Sequence, residues 1–190
     1  MIRRYSDAKA ERTSNGREIL PAGGYVCKIL DARVDSTEWG DRLVISFDID
    51  EGDRVGFFKA DYDNNPNDDR KWRGVMRLNI PKDDGTERDG WKKRSFNNFI
   101  WALEDSNRGF RFDWDESKLK GKTIGILFRE REWEYNGRTG WSTEACSTVS
   151  ADDVRGGNFR KPKPKALNKP ATATKTAPVY AQADSDDCPF

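Results

Sequence analysis

Histidine is absent from all 190 residues of this chain, which removes the commonest general base and the usual partner of a serine or cysteine nucleophile. Cysteine is almost as scarce. Cys27, Cys146 and Cys188 stand far apart and form no C-x-x-C pair, so a structural zinc site has almost no ligands and a disulfide framework has no basis. Long apolar runs are missing as well: none approaches the roughly 18 residues of a membrane span, and residues 1–12 lack the apolar stretch of a secretory signal. A soluble, cytoplasmic protein is expected, with no metal, no cofactor and no membrane partner. Net charge is scarce too. With 34 basic and 33 acidic residues the formal sum is +1, which argues against a protein that coats nucleic acid through bulk charge alone.

What the chain does contain is distributed unevenly. The hydrophobic share of 35% suits one core plus a tail, not two cores. From Arg155 to Lys175 there are seven basic residues and no acidic one, whereas the last seven positions hold Asp184, Asp186 and Asp187. Residues after about 154 read Gly-Gly-Asn-Phe-Arg-Lys-Pro-Lys-Pro-Lys and then Ala, Thr, Lys and Pro, too little apolar surface to offset ordering entropy. The expected organisation is an N-terminal arm (1–20), one domain (21–153), a basic linker extended by its prolines (154–180) and an acidic tip (181–190).

Within the domain, strand signals come first. Tyr25 to Asp35 is rich in branched residues, and Leu43, Ile45, Phe47 and Ile49 alternate with polar positions. A third run, Trp72 to Ile80, sorts Trp72, Met76, Leu78 and Ile80 to one face and Arg73, Val75, Arg77 and Asn79 to the other, with Pro81 ending it. Arg54 to Ala60 reads as an extension or an additional strand. The period then changes: Phe96, Phe99, Ile100 and Leu103 follow i, i+3, i+4, i+7 and predict a helix closed near Asn107 to Gly109. Finally, Asn136-Gly137 between two extended runs predicts a hairpin of residues 123–135 with 138–149. Three strands, one helix and two strands give a mainly β fold, with the element order of a five-stranded OB-like barrel.

A two-residue turn sets Tyr135 opposite Arg138, Trp133 opposite Gly140, Arg131 opposite Ser142 and Arg129 opposite Glu144. Alternation then collects Arg129, Arg131, Trp133, Tyr135 and Arg138 on one surface. Cations that follow phosphates beside rings that stack on bases suit sequence-tolerant binding of a single strand. Trp39, in the turn Ser36 to Gly40, is a second stacking candidate, and Lys59, Arg73 and Arg77 extend the basic track across the sheet. Trp91, Trp101, Phe96 and Phe99 read as core on or beside the helix, while Trp72 and Trp114 are left open. Paired carboxylates such as Asp48 and Asp50 raise metal-dependent nuclease chemistry, but in a chain that is 35% charged they read as solvated groups.

The chain ends Asp184-Ser185-Asp186-Asp187-Cys188-Pro189-Phe190. A terminal aromatic suits an apolar pocket, its carboxylate an adjacent cation, and the upstream aspartates a basic rim; Pro189 lowers the ordering cost of docking. This ending resembles the acidic tip of bacterial single-stranded DNA-binding proteins, in which Asp-Asp and an apolar residue precede Pro-Phe; Cys188 takes the apolar place. The body resembles the phage-encoded members from Gram-positive hosts through Phe47-Asp48-Ile49-Asp50-Glu51-Gly52, Leu103-Glu104-Asp105-Ser106-Asn107 and Leu119-Lys120-Gly121-Lys122. The resemblance implies a non-enzymatic OB-fold protein that coats single-stranded DNA and engages host or phage replication, recombination and repair proteins through its tip. The homotetramer of the bacterial housekeeping protein is not implied, and oligomeric state stays open. An adaptor or decoy that displays the tip without binding DNA is the alternative.

Overall fold

A computed structural model describes residues 13, 14 and 17–167. The expected tip, with Asp184, Asp186, Asp187, Cys188, Pro189 and Phe190, lies outside these residues, as do the second half of the expected linker and most of the N-terminal arm. A short antiparallel pairing of Thr13–Ser14 with Arg17–Glu18 precedes the domain. Five strands then form one antiparallel sheet: β1 (Gly23–Thr37), β2 (Gly40–Ile49), β3 (Val75–Asn79), β4 (Thr123–Tyr135) and β5 (Arg138–Val149), in the order β3-β2-β1-β4-β5. The expected mainly β fold is present. The helix α2 (Glu87–Ser106) falls between the third and fourth strands.

Core and pattern agree. Leu43, Ile45, Phe47 and Ile49 of β2 point inward with Ile124, Ile126 and Phe128 of β4, and Phe96, Phe99, Ala102 and Leu103 of α2 pack into the same cluster. Phe47, Phe58 and Phe128 meet one another at ring-centre distances of 5.5 to 6.0 Å, the spacing at which edge and face contacts add to buried area. Two bulges curve the sheet. One extrudes Leu30 from β1, and the other inserts Cys146 into β5 between the partners of Leu127 and Phe128. The sheet nevertheless does not close: β3 and β5 are both edge strands with no ladder between them.

The termini of α2 explain its length. Thr86 accepts a hydrogen bond from the Asp89 amide (3.2 Å), which satisfies one orphan donor of the first turn, and the buried Asp89 carboxylate accepts from the amides of Lys82 and Asp83 in the approach at 2.7 and 2.8 Å. At the other end the Asn107 side chain donates to the carbonyls of Leu103 and Thr123 (2.7 Å each) and accepts from the Thr123 amide, joining the helix to the start of β4. Among the described residues no helix is long and apolar enough to cross a membrane.

Three local expectations change. Residues 54–60 form no strand: a turn leads into α1 (Phe57–Asp63), whose first amides, Phe58 and Lys59, are capped by the Asp48 carboxylate at 2.9 and 3.0 Å. The third strand begins at Val75, because the Trp72 indole N–H turns to the carbonyls of Phe47 and Gly74. The stretch assigned to the linker begins with the end of a short helix, α3 (Ala151–Gly156), whose Val154 lies over Gly125 so closely that a Cβ there would stand 2.7 Å from it. Beyond α3, Phe159 covers Gly24, and Lys165 is hydrogen-bonded to β4.

Candidate nucleic-acid interface

The β4–β5 hairpin has the expected register: Tyr135 opposes Arg138, Trp133 opposes Gly140, Arg131 opposes Ser142 and Arg129 opposes Glu144. Asn136 and Gly137 take φ of 49° and 71°, the left-handed pair of a two-residue turn that follows strand twist. The side chains, however, are largely occupied. The Arg129 Nε donates to the Glu144 carboxylate at 2.7 Å, and the Arg131 guanidinium reaches its other oxygen at 3.1 Å. Burial pushes the Glu144 carboxyl up, but the two guanidinium groups outweigh it and hold the group below the ordinary glutamate range. Trp133 lies over Gly140, where a Cβ would stand 2.7 Å from the indole, so the ring fills the place of a missing side chain. Tyr135, 71% exposed, and Arg138 remain open to solvent beside the turn.

Two further expected contacts are also paired. The Lys59 ammonium meets Asp63 one turn along α1 at 2.6 Å, and the Arg73 guanidinium meets Asp61 at 3.1 Å. The structure therefore brings Arg129, Arg131, Trp133, Tyr135 and Arg138 together on the hairpin, and sets Lys59 and Arg73 beside α1 with carboxylate partners.

A different cluster forms where the sheet stays open. Between the edge strands β3 and β5 and the first turns of α2 lies a recess of about 430 Å³, within the range of ligand-sized clefts. Its cations are Arg42 from β2, Arg77 from β3, and Arg88 and Lys92 from α2. None makes a salt bridge among the described residues, and no carboxylate lines the recess. Two tryptophans flank it: Trp39, in the β1–β2 turn and 74% exposed, and Trp91, on α2 and 63% exposed with the Arg94 guanidinium stacked 4.3 Å from its ring centre. Met76 and Leu78, both buried in the core, contribute apolar lining. Trp39 and Arg77 were expected contacts; Arg42, Arg88, Trp91 and Lys92 were missed.

The signal for Trp91 was available. Trp91 lies five residues before Phe96, about 140° around the helix from it, whereas Phe96, Phe99 and Leu103 share a face. Trp101 is likewise exposed, at 51%, and not core. It borders a second recess, of about 400 Å³, where Arg108 and Arg111 face Glu104, Asp105 and Asp152; three carboxylates against two guanidiniums make this a poor anion site. The Cys146 bulge borders the first recess, but burial raises the Cys146 thiol above its usual range and raises Cys27 far more, which disfavours the thiolate that nucleophilic chemistry requires. The described residues contain no cluster of three or more metal-ligating side chains. No protein-family model matches the chain, and no curated protein matches it.

Proposed function

We propose that this protein binds single-stranded DNA without sequence specificity and acts without catalysis, with the recess between β3, β5 and α2 as the principal contact. One observation carries the reading: in a chain whose charges nearly cancel, Arg42, Arg77, Arg88 and Lys92 converge without a carboxylate beside two exposed tryptophans. Cations supply sequence-independent affinity for phosphates, and tryptophan faces accept any base. A duplex offers no free base face to the rings, so discrimination between the two forms follows from stacking.

The hairpin contributes Tyr135 and Arg138 at its tip, with Arg129 and Arg131 held in reserve by Glu144. The Asp-Asp-Cys-Pro-Phe sequence at 186–190 supports recruitment of replication, recombination and repair proteins through an aromatic side chain and the aspartates before it.

Fluorescence anisotropy with labelled oligothymidine, at two salt concentrations and against duplex of equal length, tests the proposal. Trp91→Ala and Arg77→Ala are expected to weaken binding, the tryptophan by about 5- to 150-fold if it carries one base stack worth roughly 1–3 kcal/mol. Unchanged affinity in both variants would remove the recess from the site. A wild-type protein that ignores oligothymidine yet binds replication proteins through its tip would instead be an adaptor.

A further inference from the structure

We propose that the Lys161-Pro162-Lys163-Pro164-Lys165 segment is an added edge strand whose lysines contact the phosphates of a bound single strand; the inference rests on the DNA-binding reading above. The observation is a pair of backbone hydrogen bonds. The Lys165 amide donates to the Glu130 carbonyl at 2.8 Å and the Glu132 amide donates to the Lys165 carbonyl at 2.9 Å, a parallel bridge that places Lys165 beside Arg131. The Leu167 amide adds a bond to the Glu132 carboxylate at 3.0 Å. This pairing uses the edge of β4 that β1 leaves free, since β1 pairs with β4 only from Thr123 to Phe128.

The alternation of residues fits such a strand. Lys161 and Lys163 each precede a proline, which holds both in extended conformations. In an extended chain Lys163 stands in phase with Lys165 and opposite Arg129, so its backbone groups face β4 as those of Lys165 do, whereas Lys161 falls opposite Leu127, where β1 already pairs, and lies past the free edge. Pro162 and Pro164 fall on the opposite phase, where an edge strand directs its N–H groups to solvent and proline is tolerated. There they also block a further strand from adding.

Charge gives the segment its use. On the neighbouring hairpin face Arg129 and Arg131 are engaged by Glu144, whereas Lys161, Lys163 and Lys165 are exposed and form no ion pair among the described residues. The backbone bonds hold that charge at one place on the domain, so less ordering entropy is lost on binding than by a free basic tail.

The test uses the full-length protein and labelled oligothymidine titrated across a salt series. For the triple variant Lys161→Ala, Lys163→Ala, Lys165→Ala, three lost phosphate contacts are expected to lower affinity about 10- to 100-fold at 0.1 M salt and to flatten the slope of log K against log salt by about 2. Lys165→Pro, which removes the amide that bonds Glu130 as well as the charge, is expected to weaken binding more than Lys165→Ala. Wild-type binding that is blind to the three lysines overturns the strand alone, as does a Lys165→Pro variant no weaker than Lys165→Ala. Wild-type protein that fails to bind oligothymidine overturns the parent reading together with this one.

Discussion

Single side chains decide how much charge this surface can offer. Glu144 neutralises part of the hairpin by holding both Arg129 and Arg131, so Glu144→Gln should raise affinity for single-stranded DNA if the hairpin touches it. Titration of the variant beside wild type checks this. The same substitution should cost about 1 kcal/mol of stability, since the pair is partly screened. The pH dependence has a definite sign. Because the folded carboxyl is held below its usual range, the stabilisation is present above the unfolded glutamate value and lost as pH falls through the lowered one. The difference in Tm between wild type and variant should therefore shrink on acidification below about pH 4.3. Asp89 is another such point: its buried carboxylate holds two loop amides ahead of α2. Asp89→Ala should cost about 1–3 kcal/mol in urea denaturation and weaken DNA binding by loosening the turn that carries Arg88, Trp91 and Lys92.

At the scale of elements, close packing between α3 and the sheet holds the basic segment in place. Gly125 leaves no room for a side chain beneath Val154 and the Ser150 carbonyl. Gly125→Ala should therefore displace α3 at a cost of about 1–3 kcal/mol and speed tryptic cleavage after Lys165. Equal cleavage in variant and wild type would show that α3 does not anchor the segment. Much of the element plan was readable beforehand. The Asn-Gly turn fixes hairpin register, and the alternation from Leu43 to Ile49 marks a strand with one face in the core. Residues 54–60 misled because two phenylalanines in a short run suit either a strand or a helix; the Asp48 carboxylate, distant in sequence, settles them as the start of α1.

For the molecule as a whole, the proposed DNA contact depends on the open sheet. Hydrogen bonding between β3 and β5 would fill the space that the recess occupies, so incomplete closure and the cationic recess are one feature. Binding should fall steeply with salt, with a slope near −0.7 per phosphate neutralised, and oligothymidine should be preferred to duplex. Deleting Pro189 and Phe190 should abolish capture of replication proteins while leaving DNA affinity equal or higher, as measured by pull-down and titration on the same preparation. A rise would indicate that the terminal aspartates compete with phosphates for the basic surface.

The sequence alone determines the existence of the five sheet strands, the long helix α2, the hairpin register and the segregation of charge, because each depends on local period, turn chemistry or composition; α1 and α3 escape it. Tertiary structure decides that Arg73 is neutralised by Asp61 of α1 and that Arg131 shares Glu144 with Arg129; of these contacts the hairpin register anticipates only the placing of Glu144 opposite Arg129. It likewise decides that four cations from three elements meet in one recess beside Trp91, because convergence from distant positions depends on how the sheet curves and where it stays open.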